Sequence, residues 1–148
     1  MSITKFCVST NGEHRGAKLL AAIPFTKGDI VDTFINAPAV LTPTYQTIQV
    51  NVQDHVFVPD TLAKLNHSCY PTTFVDTKRR LIIARQDIAV GEELTFFYPS
   101  TEWVMTEPFD CQCGSTECIG WIRGAKFLSP NLLPRYFINF HILQLTHK

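Results

Sequence analysis

Apolar residues along this chain occur in short runs rich in β-branched and aromatic side chains, and turn residues separate the runs. Runs of this length and composition predict strands rather than helices. The predicted strands cover residues 3–8, 19–23, 30–35, 55–58, 74–76, 80–85 and 94–98. Two of them, 74–76 and 80–85, predict a hairpin. So many short strands with frequent turns predict a β-rich (α+β) fold.

Two segments predict helices instead. Residues 43–49 suggest a short one, and residues 132–145 suggest a longer one, with Pro134 tolerated in its first turn. The apolar positions at approximate helical spacing in the second segment are Leu133, Phe137 and Phe140. That segment is also apolar on more than one side, and Phe and Ile favour strands too, so a strand is an alternative there.

The size and composition of the chain place it among single-domain globular proteins. It has 148 residues, of which 45% are hydrophobic and 18% charged, which excludes wholesale disorder. No run approaches the roughly 20 apolar residues that span a bilayer, and no signal peptide is recognisable near the N-terminus. We therefore expect an intracellular protein, cytoplasmic or nuclear, with no membrane attachment.

The charges balance overall but are unevenly distributed. The chain carries 13 basic and 13 acidic side chains, which argues against a dedicated nucleic-acid binder. Residues 86–117 contain acidic residues and no Lys or Arg, whereas residues 118–148 contain basic residues and no acid. These stretches are either ordinary solvated faces or an acidic rim that attracts a basic peptide. They predict no particular oligomeric state.

The clustered cysteines predict a structural zinc site. Cys111, Cys113 and Cys118 have the spacing C-x-C-x4-C, which supplies three of the four ligands that tetrahedral zinc requires. Cys69, in a turn-forming stretch, is the preferred fourth ligand, although Cys7 or a histidine is an alternative. Cys7 lies in an apolar strand and is expected to be a small core residue. Removal of the metal should disorder the short segment that carries the three ligands.

Three further motifs are individually ordinary. Residues 12–17 form a glycine-bracketed loop, residues 65–71 a polar cluster within an apolar chain, and residues 91–98 a turn followed by an aromatic strand. Taken alone, each has a structural explanation, such as satisfied backbone groups or aromatic side chains that fill a core.

The order and spacing of these elements, however, resembles the SET-domain family of protein lysine methyltransferases, over roughly residues 5–124. The family's motifs correspond here to His14-Arg15-Gly16-Ala17, Ile23-Pro24-Phe25-Thr26-Lys27-Gly28, Asn66-His67-Ser68-Cys69-Tyr70-Pro71-Thr72, Gly91-Glu92-Glu93-Leu94-Thr95-Phe96-Phe97-Tyr98 and the post-SET cysteines Cys111, Cys113 and Cys118.

The resemblance implies a fold of small curved β-sheets with few short helices and a knot-like C-terminal substructure. It implies a SET domain over residues 5–104 and a post-SET zinc-binding segment over 108–124. The tail over 125–148 has no clear counterpart in the family, and only its apolar pattern suggests a helix there. S-adenosylmethionine would lie on one face, and the target lysine would enter from the other through a narrow channel. In the family the fourth zinc ligand is the cysteine that matches Cys69, which agrees with the choice made from the residues.

The resemblance also assigns roles to individual residues. Tyr98 matches the catalytic tyrosine. Phe96 matches the position that tunes product state and, as phenylalanine, predicts di- or trimethylation. The expected cofactor-binding residues are His14, Arg15, Gly16, Asn66, His67, Tyr98 and Trp121, and the expected substrate-binding residues are Phe96 and Trp103. The expected partner is a protein or basic peptide, histone-like substrates included, and nucleic acid is not expected.

No dedicated base stands out in the sequence. A lysine with a pKa near 10.4 is neutral in only about 1 molecule in 2,000 at pH 7. An apolar channel and a nearby sulfonium would lower that pKa, and the proton would leave through water.

Four positions depart from the family pattern. The usual Asp before the tyrosine is Phe97, the last Asn of the polar motif is Thr72, a common Arg aligns with Ala63, and the first loop Gly is replaced by His14. Two alternatives to a lysine methyltransferase therefore remain: a non-catalytic zinc-stabilised peptide-binding module, and an enzyme that acts on a small molecule.

Overall fold

The computed structural model describes residues 4–10 and 16–147, mostly as short strands. The strands are β1 (Phe6–Ser9), β2 (Lys18–Ala21), β3 (Ile30–Thr33), β4 (Ala39–Val40), β5 (Thr47–Gln49), β6 (His55–Phe57), β7 (Asn66–His67), β8 (Thr73–Asp76), β9 (Leu81–Ala84), β10 (Thr95–Phe96), β11 (Phe109–Asp110) and β12 (Trp121–Ile122). The helices are 3-10 turns at Leu62–Lys64, Tyr98–Ser100, Ala125–Phe127 and Pro130–Arg135, and α1 at Phe140–Thr146. The β-rich prediction is confirmed.

The strands form several small sheets rather than one large one. Two sheets have three strands, in the orders β3-β9-β8 and β4-β6-β5, and we call the second the insert sheet. The pairs β1-β2, β10-β7 and β11-β12 complete the arrangement. The predicted hairpin is β8-β9, and Asp76 fixes its turn by accepting bonds from the backbone N–H groups of Lys78 and Arg79, each at 3.1 Å.

One hydrophobic core lies beneath these sheets and fixes their positions. Leu19, Val75, Ile82 and Leu94 are fully buried in it. They come from four separate segments of the chain, so their burial draws distant strands together. Burial of one such side chain contributes about 1.5–3 kcal/mol.

A parallel pair joins the two most specific sequence motifs. β10 lies beside β7 with Thr95 opposite Asn66 and Phe96 opposite His67. The N–H of Ser68 donates to the carbonyl of Phe96 at 3.1 Å, which extends the pairing past β7. The chain that continues from β10 therefore emerges next to the polar motif of residues 65–71, and it carries Tyr98 there.

The helix predicted over residues 43–49 is wrong. Thr47–Gln49 is strand β5, and Ile48 pairs with Val56 of β6. The chain turns before it, since the N–H of Thr44 donates to Oγ1 of Thr47 at 3.0 Å. A β-branched pair, Thr and Ile, packs well on a pleated surface, so tertiary pairing overrides the short helical pattern.

The helix predicted over residues 132–145 is only partly present. Pro130–Arg135 is a 3-10 helix, an extended stretch follows, and α1 begins only at Phe140. Asn139 holds the break, because its Nδ2 donates to the carbonyls of Val75 (2.8 Å) and Ser100 (2.9 Å). These bonds dock the tail onto the core before α1 starts.

Cys7 is the other residue whose predicted place is wrong. It lies in β1 but is exposed, because this strand pairs only with β2 and presents most of its residues to solvent. In addition, no helix in the described part of the chain has the length and apolar character needed to cross a membrane.

Candidate active site and metal centre

Tyr98 is held by hydrogen bonds at both its hydroxyl and its backbone. It opens the 3-10 turn that follows β10, with Pro99 stiffening the turn. Its hydroxyl donates to the carbonyl of Leu65 at 2.6 Å, and its N–H donates to Nδ1 of His67 at 3.1 Å. Burial, with smaller contributions from the charges of Glu102 and Glu93, raises the pKa of Tyr98 well above its ordinary value. The phenol therefore stays protonated.

Aromatic rings surround this tyrosine. The centroid of Phe96 lies 4.8 Å from that of Tyr98, and Phe109 meets Tyr98 edge-on at 6.0 Å. Phe96 is only 6% exposed. Trp103 is partly buried, and its N–H donates to Oε1 of Gln49 at 2.9 Å, so its backbone is tied to the insert sheet. The structure thus brings Phe96 to Tyr98 and places Trp103 five residues further along the same segment.

The residues proposed for the cofactor are only partly described. His14 and Arg15 lie outside the described residues. Gly16 adopts a φ of +120°, a conformation that favours glycine. The carbonyl of Ala17 accepts a bond from Nδ2 of Asn66 at 2.9 Å, which ties the loop to β7.

Asn66 and His67 have little side-chain capacity left for a ligand. Nδ2 of Asn66 donates both to Ala17 and, at 3.0 Å, to Oε2 of Glu93, so its amide oxygen and backbone are what it can offer. The ring of His67 lies between Tyr98 and Cys69, with Nε2 3.3 Å from the Cys69 sulfur. Burial lowers the pKa of His67 to about 4, so the ring is neutral. These groups fit a ligand that is held mainly by backbone atoms.

Trp121 follows the last of the three clustered cysteines by three residues. It belongs to β12, pairs with Asp110 of β11 and is 50% exposed. No ring contact from Trp121 to Tyr98 is found within the described residues. Its predicted contact with a cofactor stays a prediction.

Four cysteines converge as the spacing predicted. Cys69, Cys111, Cys113 and Cys118 place their sulfurs within 4.8 Å of one another. The sulfurs of Cys69 and Cys111 are 3.8 Å apart, which matches the edge of about 3.8 Å in a tetrahedron with Zn–S bonds of about 2.3 Å. Four thiols in this arrangement fit a structural zinc ion. Cys7 is exposed and lies outside the cluster.

The protonation of these thiols points in the same direction. Burial raises the pKa of Cys69, and burial also raises the pKa of Cys111 to about 11. Burial opposes ionisation of Cys113 too, but hydrogen bonds from backbone N–H groups and neighbouring thiols outweigh it and lower the pKa of Cys113 to about 7. Thiols with raised pKa values do not ionise together without a cation to offset the charge. A divalent ion would supply that charge and release protons as it binds.

The C-terminal tail covers the cysteine that lies in the core. Tyr136 stacks on Phe97, with ring centroids 3.6 Å apart and planes 2° from parallel. Its hydroxyl donates to the carbonyl of Cys69 at 2.8 Å. Phe97, which departs from the family pattern, therefore has an aromatic partner in the tail instead of a polar one. The sequence contained no signal that could pair Tyr136 with Phe97.

Thr72, a second departure from the family pattern, also has hydrogen-bond partners close by. Thr72 accepts a bond from the N–H of Thr95 at 3.0 Å, and its hydroxyl donates to the carbonyl of Glu93 at 3.0 Å. Its own N–H donates to Oγ1 of Thr95 at 3.1 Å. The threonine thus links the polar motif to β10.

Glu102 is a site residue that the sequence did not single out. Its N–H donates to the carbonyl of Tyr98 at 3.0 Å, and its Oε2 accepts bonds from the Thr101 hydroxyl (2.6 Å) and the N–H of Gln49 (3.0 Å). Burial raises the pKa of Glu102 to about 7, although those two hydrogen bonds oppose the shift. Its spacing four residues after Tyr98 was the available signal, but it was one acid among several in an acidic stretch.

The acidic stretch of residues 86–117 therefore divides into two groups. Most of its members are exposed, as a rim would require: Asp87, Glu92, Glu107, Asp110 and Glu117. Glu93 and Glu102 instead lie close enough to Tyr98 to influence its pKa. The interpretation of the exposed members as a surface for a basic peptide stays a prediction.

Comparison with known proteins agrees with this geometry. The chain matches the SET domain family over residues 16–99. It is 38% identical over 135 residues to the methyltransferase flvH of Aspergillus flavus. This match covers 87% of this chain and 72% of flvH. It is 42% identical over 65 residues to the H3 lysine-36 specific histone-lysine N-methyltransferase of Aspergillus oryzae, and 40% identical over 66 residues to the H3 lysine-4 specific one of Aspergillus fumigatus.

Coverage differs sharply among these proteins. The two histone-lysine methyltransferases match 40% of this chain, which spans only 7% and 5% of their lengths. Among solved structures, KRYPTONITE in complex with mCHG DNA and SAH superposes with a TM-score of 0.60 at 19% identity, over 73% of this chain and 27% of that one. This likeness shows the fold, with its small sheets. With the motif positions and the family match, it establishes that the chain belongs to the SET domain family.

Proposed function

We propose that this protein is an S-adenosylmethionine-dependent methyltransferase that acts on the amine of a lysine side chain in a protein or peptide. The observation that carries the proposal is the parallel pairing of β7 and β10, which places Tyr98 against the polar motif. The methyltransferases among its relatives support the same chemistry.

The proposed cofactor fits the donor groups in the described residues. Gly16, in its positive-φ conformation, Asn66 through its amide oxygen and backbone, and the backbone of His67 would hold it, together with Tyr98. His14, Arg15 and Trp121 are proposed to complete the site. When bound, S-adenosylmethionine supplies an electrophilic methyl group on a sulfonium sulfur.

Tyr98 is proposed to orient the amine. Its hydroxyl proton points at the carbonyl of Leu65, so the oxygen lone pairs are free to accept a bond from an amine N–H. Since the pKa of Tyr98 is raised, the hydroxyl stays protonated across the neutral range. It therefore remains a donor to Leu65 and an acceptor for the amine. The rings of Phe96 and Phe109 exclude water from one side, which disfavours the ammonium form.

Phe96 is proposed to allow di- or trimethylation. It lies against Tyr98 and carries no hydroxyl that could hold a water or restrain a methylated amine. Phe96→Tyr should shift the product toward lower methylation states. A mass-spectrometric time course that stops at monomethyl-lysine on a good substrate would contradict this proposal.

The proposed partner is a basic peptide, with a histone-like protein as one instance. The exposed acidic side chains of residues 86–117 favour such a partner, and histone-directed relatives support it. The balanced net charge makes nucleic acid a less favoured partner, although a KRYPTONITE complex contains DNA. A histone substrate would place the protein in the nucleus.

The SET unit is proposed at residues 5–104, the zinc-binding segment at 108–124 and the tail at 125–148.

Transfer of labelled methyl groups to an extract of the native source tests the proposal. Label in a protein band with the wild type, and its loss with Tyr98→Phe, is the expected result. Calorimetry with S-adenosylmethionine distinguishes an enzyme from a non-catalytic binding module. If no protein of the extract acquires labelled methyl groups, the proposal of a lysine substrate is wrong.

A small-molecule amine is the second candidate substrate. The relative that matches most of both chains is named only as a methyltransferase, whereas the histone-directed ones match a 65- or 66-residue portion. The same labelling experiment covers this candidate when the protein-free fraction is counted as well. Label there, and none in protein, would favour it.

A further inference from the structure

Glu102 lies beside the candidate active site, and its carboxylate has no cationic partner among the residues that the structure describes. Among the described residues, the ion pairs are Lys5 with Asp32 and Arg79 with Asp76, and neither involves Glu102. The hydrogen bonds that its side chain accepts come from a hydroxyl and a backbone N–H, both of them neutral donors. Carboxylates in such surroundings are normally paired or neutralised.

The location of this carboxylate is set by two separate pieces of structure. Its backbone follows Tyr98 by one turn and bonds to the tyrosine carbonyl. Its Oε2 is fixed by Gln49 of the insert sheet and by Thr101. Both of these bonds end on Oε2, which leaves Oε1 as the atom that can accept from a ligand.

Glu102 is half-buried rather than fully enclosed by the core. Glu102 keeps part of its accessible surface, yet burial is the main cause of its altered ionisation. Trp103 is half-buried as well, and its backbone N–H donates to Oε1 of Gln49, so both residues are tied to the insert sheet beside Tyr98.

We infer that Glu102 binds the ammonium group of the amine substrate and takes its proton before methyl transfer. This rests on the proposed function and adds to it a charged binding group and a proton acceptor. It replaces the expectation that the proton leaves through water alone.

Proton transfer to Glu102 comes before methyl transfer. The N–H bond of the ammonium breaks, its electron pair stays on nitrogen, and the proton forms an O–H bond at Glu102. The neutral nitrogen then forms a bond to the methyl carbon of the sulfonium donor, the carbon–sulfur bond breaks, and that electron pair stays on sulfur. The proton on Glu102 is then released to solvent.

The ionisation of the surrounding groups suits this role. A pKa of about 7 lets Glu102 be charged at slightly alkaline pH and still accept a proton, which is the range in which a general base works best. The other titratable side chains near it do not compete. His55 and His141 have pKa values lowered mainly by burial, and Tyr98 has one raised mainly by burial, so all three are neutral.

The first test needs no methyl transfer. Protein with ¹³C-labelled glutamate carboxyl groups is titrated with n-butylammonium, which mimics the end of a lysine side chain. The Glu102 signal, assigned by its loss in Glu102→Gln, should shift on titration. Asp54→Asn, which removes an exposed carboxylate on the insert-sheet side, should leave that shift unchanged. A Glu102 signal that does not respond to the ammonium overturns the inference.

The second test is the pH dependence of kcat/KM for methyl transfer to a lysine peptide. The wild-type rate should rise with pH through a midpoint near pH 7 and level off above it, where Glu102 is fully ionised. Glu102→Gln should lower the rate by about 100-fold or more near pH 7, with the deficit shrinking toward pH 10 as the amine loses its own proton. A deficit that is the same at every pH indicates a structural role and overturns the inference.

Thr101→Val provides a check that keeps the carboxylate. It removes a hydrogen bond that stabilises the charged form, so the pKa of Glu102 should rise and the acid limb should move to higher pH. An acid limb that stays in place argues against Glu102 as its source, even if Glu102→Gln does not fold.

The two proposals fail differently. If n-butylammonium shifts the Glu102 signal but no methyl is transferred to any protein or small molecule, the cation site stands and the proposed function fails. If methyl is transferred and Glu102→Gln leaves the pH profile unchanged, the function stands and the inference fails.

Discussion

The core around β7 and β10 and the cysteine segment (residues 109–122) flank the same tyrosine but are stabilised in different ways. The core buries apolar side chains such as Leu94, which is 0% exposed. From residue 111 to residue 120 the cysteine segment has no fully buried residue. Its ends are attached to the core by Ile122, which is 0% exposed, and by the ring of Phe109 against Tyr98, and its cysteines meet Cys69, which is 1% exposed. The comparison indicates that burial stabilises the core, whereas the cysteine segment has a four-thiol cluster at which a bound ion would stabilise it.

Loss of the metal should have the largest effect, confined to the cysteine segment. Zinc contributes on the order of 10–16 kcal/mol to the folding of small zinc-dependent peptides. Cys111→Ser should therefore abolish stoichiometric zinc, measured by atomic absorption, and remove hydrogen-exchange protection from residues 109–122. Cys7→Ser removes an exposed thiol and should leave both unchanged. Equal loss of protection in the core would show that the two regions are not separate.

A cavity in the core should destabilise the core and leave the metal content of the cysteine segment unchanged. Ile82 is 0% exposed in β9, so Ile82→Ala should lower the free energy of unfolding by about 2–5 kcal/mol in urea titrations. Zinc content of the folded protein should be unchanged. A lower zinc affinity of folded Ile82→Ala in the absence of urea would contradict the independence of the two regions.

The join between the cysteine segment and the tail should be sensitive to a single added methyl group. Gly124 has a φ of +115°, and a Cβ there would overlap the backbone of Trp103 and Val104. Gly124→Ala should cost about 1–3 kcal/mol of unfolding free energy. Gly120→Ala is the matched control, because its φ is +83° but no atom lies within 4 Å of the added Cβ. If both variants lose the same amount, backbone strain alone accounts for the effect.

The smallest predicted effect concerns the tail. Tyr136→Phe removes the bond to the Cys69 carbonyl and keeps the ring that stacks on Phe97, so a loss of about 1 kcal/mol is expected by thermal or urea unfolding. Tyr136→Ala removes both contacts and should cost more. A larger effect of Tyr136→Phe on zinc affinity than on stability would show that the tail acts on the metal centre.

Sequence reasoning succeeded where local pattern and fixed spacing determine structure. The hairpin β8-β9 follows from two apolar runs and a polar turn, and the four-cysteine cluster follows from ligand spacing and a turn-forming stretch. The two motifs that meet at β7 and β10 were recognisable because their residues stand in an unbroken order.

It failed where distant segments decide the outcome. Residues 43–49 are a strand because β6 pairs with them, and the break in the tail follows from bonds between Asn139 and two distant carbonyls. Cys7 is exposed because β1 lies at an edge. Glu102 was indistinguishable from its acidic neighbours, since only the fold places Gln49 and Thr101 around its carboxyl.

The parallel pairing of β7 with β10 has a consequence for how the chain folds. Asn66 must find Thr95, and Cys69 must find Cys111, before either motif is complete. Such non-local pairings cost loop-closure entropy before their contacts stabilise the chain. We therefore expect folding on the millisecond-to-second scale typical of proteins dominated by long-range contacts. Metal capture, which needs Cys69 already in place, would be among the last events.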